Sequence, residues 1–147
     1  MKNILVALGN AKHADALIAQ AVKLAKLTDG KIWILHVTVA NPDDFLALET
    51  GPQHLYDERV ESRKKKTALI KQLAEEIEKN HHLQAEGILL EGSVSKAIKK
   101  KVEEHQIELV IVGHQKKDFL YGLFTANKKK DLVDELQIPL LAVPIKA

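Results

Sequence analysis

Five apolar runs, the first four each followed by residues at helical spacing, set out the chain. Ile4-Leu5-Val6-Ala7-Leu8 is continuous and apolar, the mark of a strand buried on both faces. Gly9-Asn10 breaks it. Ala14, Leu17, Ile18, Ala21, Leu24 and Ala25 then recur with helical periodicity, predicting an amphipathic helix from about 13 to 28. Asp29-Gly30 ends that helix, the glycine suiting a left-handed cap. Ile32–Val39 reads as the second strand, and Pro42 and Gly51-Pro52 mark a loop after it. A long polar helix is predicted over His54–Asn80, with Leu69, Leu73 and Ile77 on its inner stripe. The third strand is Ala85–Leu90. A helix follows with Val94, Ala97, Ile98 and Val102 inward and Ser93 or Ser95 as its cap. Ile107–Val112 is the fourth strand. Leu132, Val133 and Leu136 mark a last helix, Pro139 stops it, and Leu140–Val143 is the fifth strand.

Strands that alternate with helices argue for a doubly wound five-stranded parallel sheet, with right-handed crossovers placing helices on both faces. At 147 residues this is expected to be one domain, 1–147. In such sheets ligands sit beyond the carboxyl ends of the strands, where the strand order reverses. If the first and fourth strands are neighbours, the turns at Gly9 and Gly113 face one crevice.

Bulk properties narrow the chemistry. The chain has no cysteine, which removes disulfides, thiolate zinc sites and cysteine nucleophiles and fits a reducing compartment. The first apolar run is too short for a signal peptide, and no segment approaches the ~20 apolar residues of a membrane span, so the cytoplasm is the expected location. Net charge is +2, which gives no reason to expect nucleic acid or membrane as a partner. Lysines cluster at Arg63–Lys66, Lys99–Lys101, Lys116-Lys117 and Lys128–Lys130, each with acidic residues nearby. Solvated faces are the expected reading.

None of the seven histidines (His13, His36, His54, His81, His82, His105, His114) pairs at the i, i+4 spacing of a helical metal site. His36, inside a strand, is expected to be a hydrogen-bonded core histidine. His81-His82 reads as surface loop, while His114 flanks the crevice. Asp43-Asp44 lacks a partner for acid–base work, and no G-x-S-x-G elbow surrounds Ser93 or Ser95. Trp33 reads as core. No catalytic residue and no metal ligand is expected.

The segments ILVALGNAKHADALIAQAVKLA, Leu35-His36-Val37, LVIVGH and IPLLAVPI resemble the universal stress protein family, and the resemblance runs the length of the chain. Nucleotide-binding members of that family carry a glycine, two residues, a second glycine, nine residues, then a third glycine followed by serine or threonine. Gly113 matches the first position, whereas Lys116, Ala126 and Asn127 replace the two later glycines and the hydroxyl. The aspartate that helps hold the adenine falls on Gly9, and the second-strand contact near the base falls on Val37. With Gly113-His114 and Phe119, the pattern is similar to the subgroup typified by universal stress protein A, described as not binding ATP. The resemblance implies a stress-response module. It also implies a homodimer joined through the last strand, Leu140–Ile145, with further protein partners unspecified.

Glycines matter in a phosphate loop because they reach positive φ cheaply and let backbone N–H groups approach phosphate oxygens. A left-handed lysine costs roughly 1–2 kcal/mol. Each lost hydrogen bond to a charged group costs about 1.5–3 kcal/mol, so losing two or three weakens binding by on the order of 10³-fold. No cofactor is therefore expected. The alternative is an ATP or ADP sensor whose loop uses Lys116, Lys117 and Lys128–Lys130 in place of backbone. An adenylyl-transferring enzyme would need an HxGH-like motif after the first strand, which Gly9–His13 does not supply.

Overall fold

The computed structural model describes residues 2–9, 11–38, 53–114 and 132–145. Its elements run β1 (Asn3–Leu8), a 3₁₀ turn (Ala11–His13), α1 (Ala14–Thr28), β2 (Lys31–Thr38), α2 (Gln53–His81), β3 (Ala85–Glu91), α3 (Val94–His105), β4 (Leu109–His114), α4 (Leu132–Leu136) and β5 (Leu140–Pro144). The five strands form one sheet in the order β3-β2-β1-β4-β5, and every pairing is parallel. β1 is central, and Val6 lies level with Ile34 on one side and Ile111 on the other.

The period-2 alternation of the strands divides the core in two. Ile4, Val6 and Leu8 pack with Leu17, Ala21 and Ala25 of α1 and Ile70, Ala74 and Ile77 of α2. Leu5 and Ala7 point the other way, to Ala97, Ile98 and Val102 of α3 and Leu136 of α4. The side chains of Ile4, Leu5, Ile34, Leu35 and Ile111 are fully buried. Such strands must be apolar on both faces, which is why they read as unbroken runs.

Several boundaries and contacts differ from the sequence reading. Asp29, not Gly30, takes the left-handed cap of α1, with φ 53°. A short carboxamide or carboxylate side chain tolerates that conformation, and Gly30 is left to donate its N–H to Ala25. The inner stripe of α2 is Ile70, Ala74 and Ile77, with Leu73 only partly buried and Leu69 39% exposed. The reason lies at Gly87 of β3: a Cβ there would overlap Ile70 Cγ2 and come within 3.0 Å of the Ile70 carbonyl. The glycine lets the helix settle with Ile70 flush on the sheet and turns Leu69 outward. Ser93 occupies the N-cap position of α3 but caps nothing with its hydroxyl, which lies 3.3 Å from Ser95 Oγ. β4 begins at Leu109, because the Ile107 N–H bonds back to the Val102 carbonyl and so closes the end of α3. β4 also extends through Gly113 and His114, since β5 pairs with both.

Candidate functional site

The order reversal lies between β1 and β4. Connections through α1 and α2 cover one face of the sheet, and those through α3 and α4 cover the other. The crevice expected from topology therefore opens where β1 ends at Leu8 and β4 ends at His114. Of the residues the sequence singled out, Gly9 follows β1 and is half-buried, Val37 is buried near the end of β2, and Gly113 and His114 close β4. Lys116, Ala126 and Asn127 lie outside the described residues, as do Asp43-Asp44 and Phe119.

Gly113 lies inside a strand and does not open a loop. A Cβ on it would sit 3.3 Å from Ile145 Cγ1 and 3.8 Å from Leu17 Cδ1, so its missing side chain makes room for Ile145 and α1. Its φ is not among the positive values. The His114 carbonyl accepts the Ile145 N–H at 3.2 Å, and the His114 side chain is exposed at the rim. Among the described residues, positive φ occurs at Asp29, His82, Gln106, Gln137 and Gly92. Only Gly92 stands at the carboxyl end of a strand, so the described rim offers no run of left-handed residues to form a phosphate nest.

His36 is half-buried, and its Nδ1 lies 2.9 Å from the Leu8 carbonyl. A carbonyl only accepts, so Nδ1–H is the donor. The expected hydrogen-bonded histidine is thus present, tying the end of β2 to the end of β1. His13, in the turn between β1 and α1, was not singled out in the sequence. Its Nδ1 is buried without a hydrogen-bond partner among the described residues. A lone histidine before a helix gives no spacing signal that would have marked it.

Trp33 and the histidines at the opposite end of the sheet serve structure. The Trp33 indole stacks on His105 with centroids 3.8 Å apart, and Lys31 Nζ lies 3.9 Å from the centroid of the same ring. Its Nε1–H donates to Asn3 Oδ1 at 3.2 Å. His81 ends α2 and is half-buried, whereas His82 is exposed with φ 54°. Glu104, exposed on α3, is held below the usual carboxylate range by a hydrogen bond from Lys101 at 2.9 Å, with Lys100 and His105 adding positive charge. Among the described residues no three metal-ligating side chains converge, and no helix is long and apolar enough to cross a membrane.

Comparison with known proteins places this geometry. The universal stress protein A homolog of Haemophilus influenzae is 26% identical over 145 residues, spanning 99% of this chain and 97% of that protein. Among solved structures, the universal stress protein UspA from Lactobacillus plantarum superposes with a TM-score of 0.63 at 16% identity, covering 97% of each chain. An Arabidopsis thaliana protein of the universal stress protein family, solved with AMP bound, gives a TM-score of 0.62 at 18% identity over 100% of this chain and 94% of that one. The family model matches residues 1–144, and the chain belongs to the universal stress protein family.

Proposed function

We propose that this chain is a non-catalytic stress-response module that acts in the cytoplasm as a homodimer and holds no adenine nucleotide specifically. The observation that carries the reading is the loss of bare backbone after Gly113: Lys116, Ala126 and Asn127 stand where nucleotide-holding members have two glycines and a hydroxyl. The strand position of Gly113, packed on Ile145, supports it from the described side of the crevice. Calorimetric titration with ATP and magnesium, and with AMP because a structural neighbour carries it, is expected to give no saturable heat; micromolar binding would sink the proposal. Lys116→Gly, Ala126→Gly and Asn127→Ser together are expected to raise ATP affinity.

The homodimer reading is supported by β5. It is an edge strand whose Leu140, Leu141 and Ile145 are only partly buried, and Ala142 and Pro144 are exposed. The Pro139 carbonyl and the Ile145 N–H both bond to β4, so by alternation the backbone groups of Leu140 and Ala142 face the open side. Pro144 offers no donor there. A second copy pairing along this edge would satisfy those groups and cover the apolar side chains. Ala142→Pro removes an outward donor without breaking a bond to β4. Light scattering is expected to show a wild-type dimer and a folded monomeric variant; a monomeric wild type at micromolar concentration would refute the pairing.

A further inference from the structure

We propose that the groove between α2 and the outer edge of β3 is a docking site for an extended, lysine- or arginine-bearing segment of a partner protein, which adds to the sheet as a further strand. The groove holds about 320 Å³ and is lined by Thr67, Ile70, Lys71 and Ala74 of α2, Gly87 and Leu89 of β3, and the carboxylates below. β3 is the second edge of the sheet, with no described strand beyond it. The Ile32 N–H bonds to the Gln84 carbonyl and the Gly92 N–H to Thr38, so the even-numbered residues of β3 face β2. The odd-numbered backbone groups therefore turn outward.

Side chains of α2 bracket this edge at both ends. Glu78 Oε1 accepts the outward Ala85 N–H at 3.3 Å, and Arg63 pairs with the Glu91 side chain at 3.1 Å. Between the brackets, the outward N–H and C=O of Gly87 and Leu89 border the groove, enough to align about three residues of an added strand. The floor is apolar, from Ile70, Ala74 and Leu89, and suits one alkyl side chain of the incoming segment. The rim decides its charge. Glu75, Glu78 and Glu86 line the groove with Lys71, while Lys31 pairs with Glu86 at 3.0 Å and Arg63 pairs with Glu91 at one end. An acidic segment would meet like charge, and a basic one finds carboxylates on either side of its backbone.

The test uses the full chain and a fluorescein-labelled, end-blocked Lys-Val-Lys-Val-Lys peptide, read by anisotropy and by amide shifts of Gly87 and Leu89. Binding that falls with salt, that is lost in the Glu-Val counterpart and that is lost when the central residues are N-methylated is expected. Glu75→Lys, at an exposed position that leaves the fold intact, should weaken it about fivefold, the size of one exposed charge interaction. Equal binding of the N-methylated peptide would reduce the site to a charged surface and overturn strand addition. Equal binding of the acidic peptide, shifts confined to residues away from β3, or no binding up to about 1 mM would each overturn the proposal.

Discussion

The two edges of the sheet are built differently. β5 has five residues, carries Pro144, and turns the backbone groups of Leu140 and Ala142 outward, while the Leu140 side chain packs against the core. β3 has seven residues and lies beneath α2, which approaches so closely that only glycine fits at position 87. One edge is short and apolar. The other is guarded at both ends by charged side chains and open in the middle. An exposed edge need not be blunted in one way only: a proline, a capping carboxylate and a covering helix each limit what can pair there.

The largest test of this contrast is Gly87→Val. Its side chain would collide with the backbone and Cγ2 of Ile70, so α2 must lift from the sheet. A loss of about 3 kcal/mol is expected, at the upper end of overpacking costs. Urea unfolding at pH 7 measures it, and a loss under about 1 kcal/mol would show that α2 is not seated as described. Next comes Gly113→Ala, the corresponding glycine beside β5. Its Cβ meets Ile145 at 3.3 Å, but that side chain is half-buried at the rim and has room to shift. The expected cost is about 1 kcal/mol or less, because the alanine also lowers unfolded-chain entropy. Equal losses at the two glycines would erase the distinction between the edges.

The smallest effect serves as a background for both. Glu104 lies on α3, away from either edge, and its carboxyl is held low mainly by the Lys101 hydrogen bond. A depressed carboxylate contributes stability above its ordinary titration range and loses it as pH falls through the folded value. Glu104→Gln should therefore lower stability slightly at pH 7, and the difference from the wild type should disappear as pH falls below about 4.3. A higher urea midpoint for the variant at pH 7, or a gap that widens in acid, would contradict that sign.

Much of this fold is readable in the residues because strands buried on two faces leave continuous apolar runs, as at Ile4–Leu8 and Leu109–Val112. Helix faces are harder. Ala68-Leu69-Ile70 offers three apolar neighbours, and it is Ile70 that packs against the bare backbone of Gly87 beneath the helix. Helix ends are harder too: Asp29 holds the left-handed cap expected of Gly30, and His82, Gln106 and Gln137 take the same conformation at non-glycine positions. Ile107 reads as strand by its apolarity but spends its N–H on α3. At the crevice, the sequence pointed to Gly9, Val37, Gly113 and His114, and the sheet brings the ends of β1 and β4 side by side. Packing supplies what the sequence could not: the glycine at 113 accommodates Ile145.

Trp33 is the only tryptophan in the chain, and it lies between His105 and Lys31 at the amino end of the strands. It is four residues from Val37, about 13 Å along an extended strand. Its emission is therefore a spectroscopic gauge of how β1, β2 and α3 hold together, quenched or released as the imidazole stack opens. Ligand titrations followed by that emission would be nearly silent about events at the other pole of the sheet.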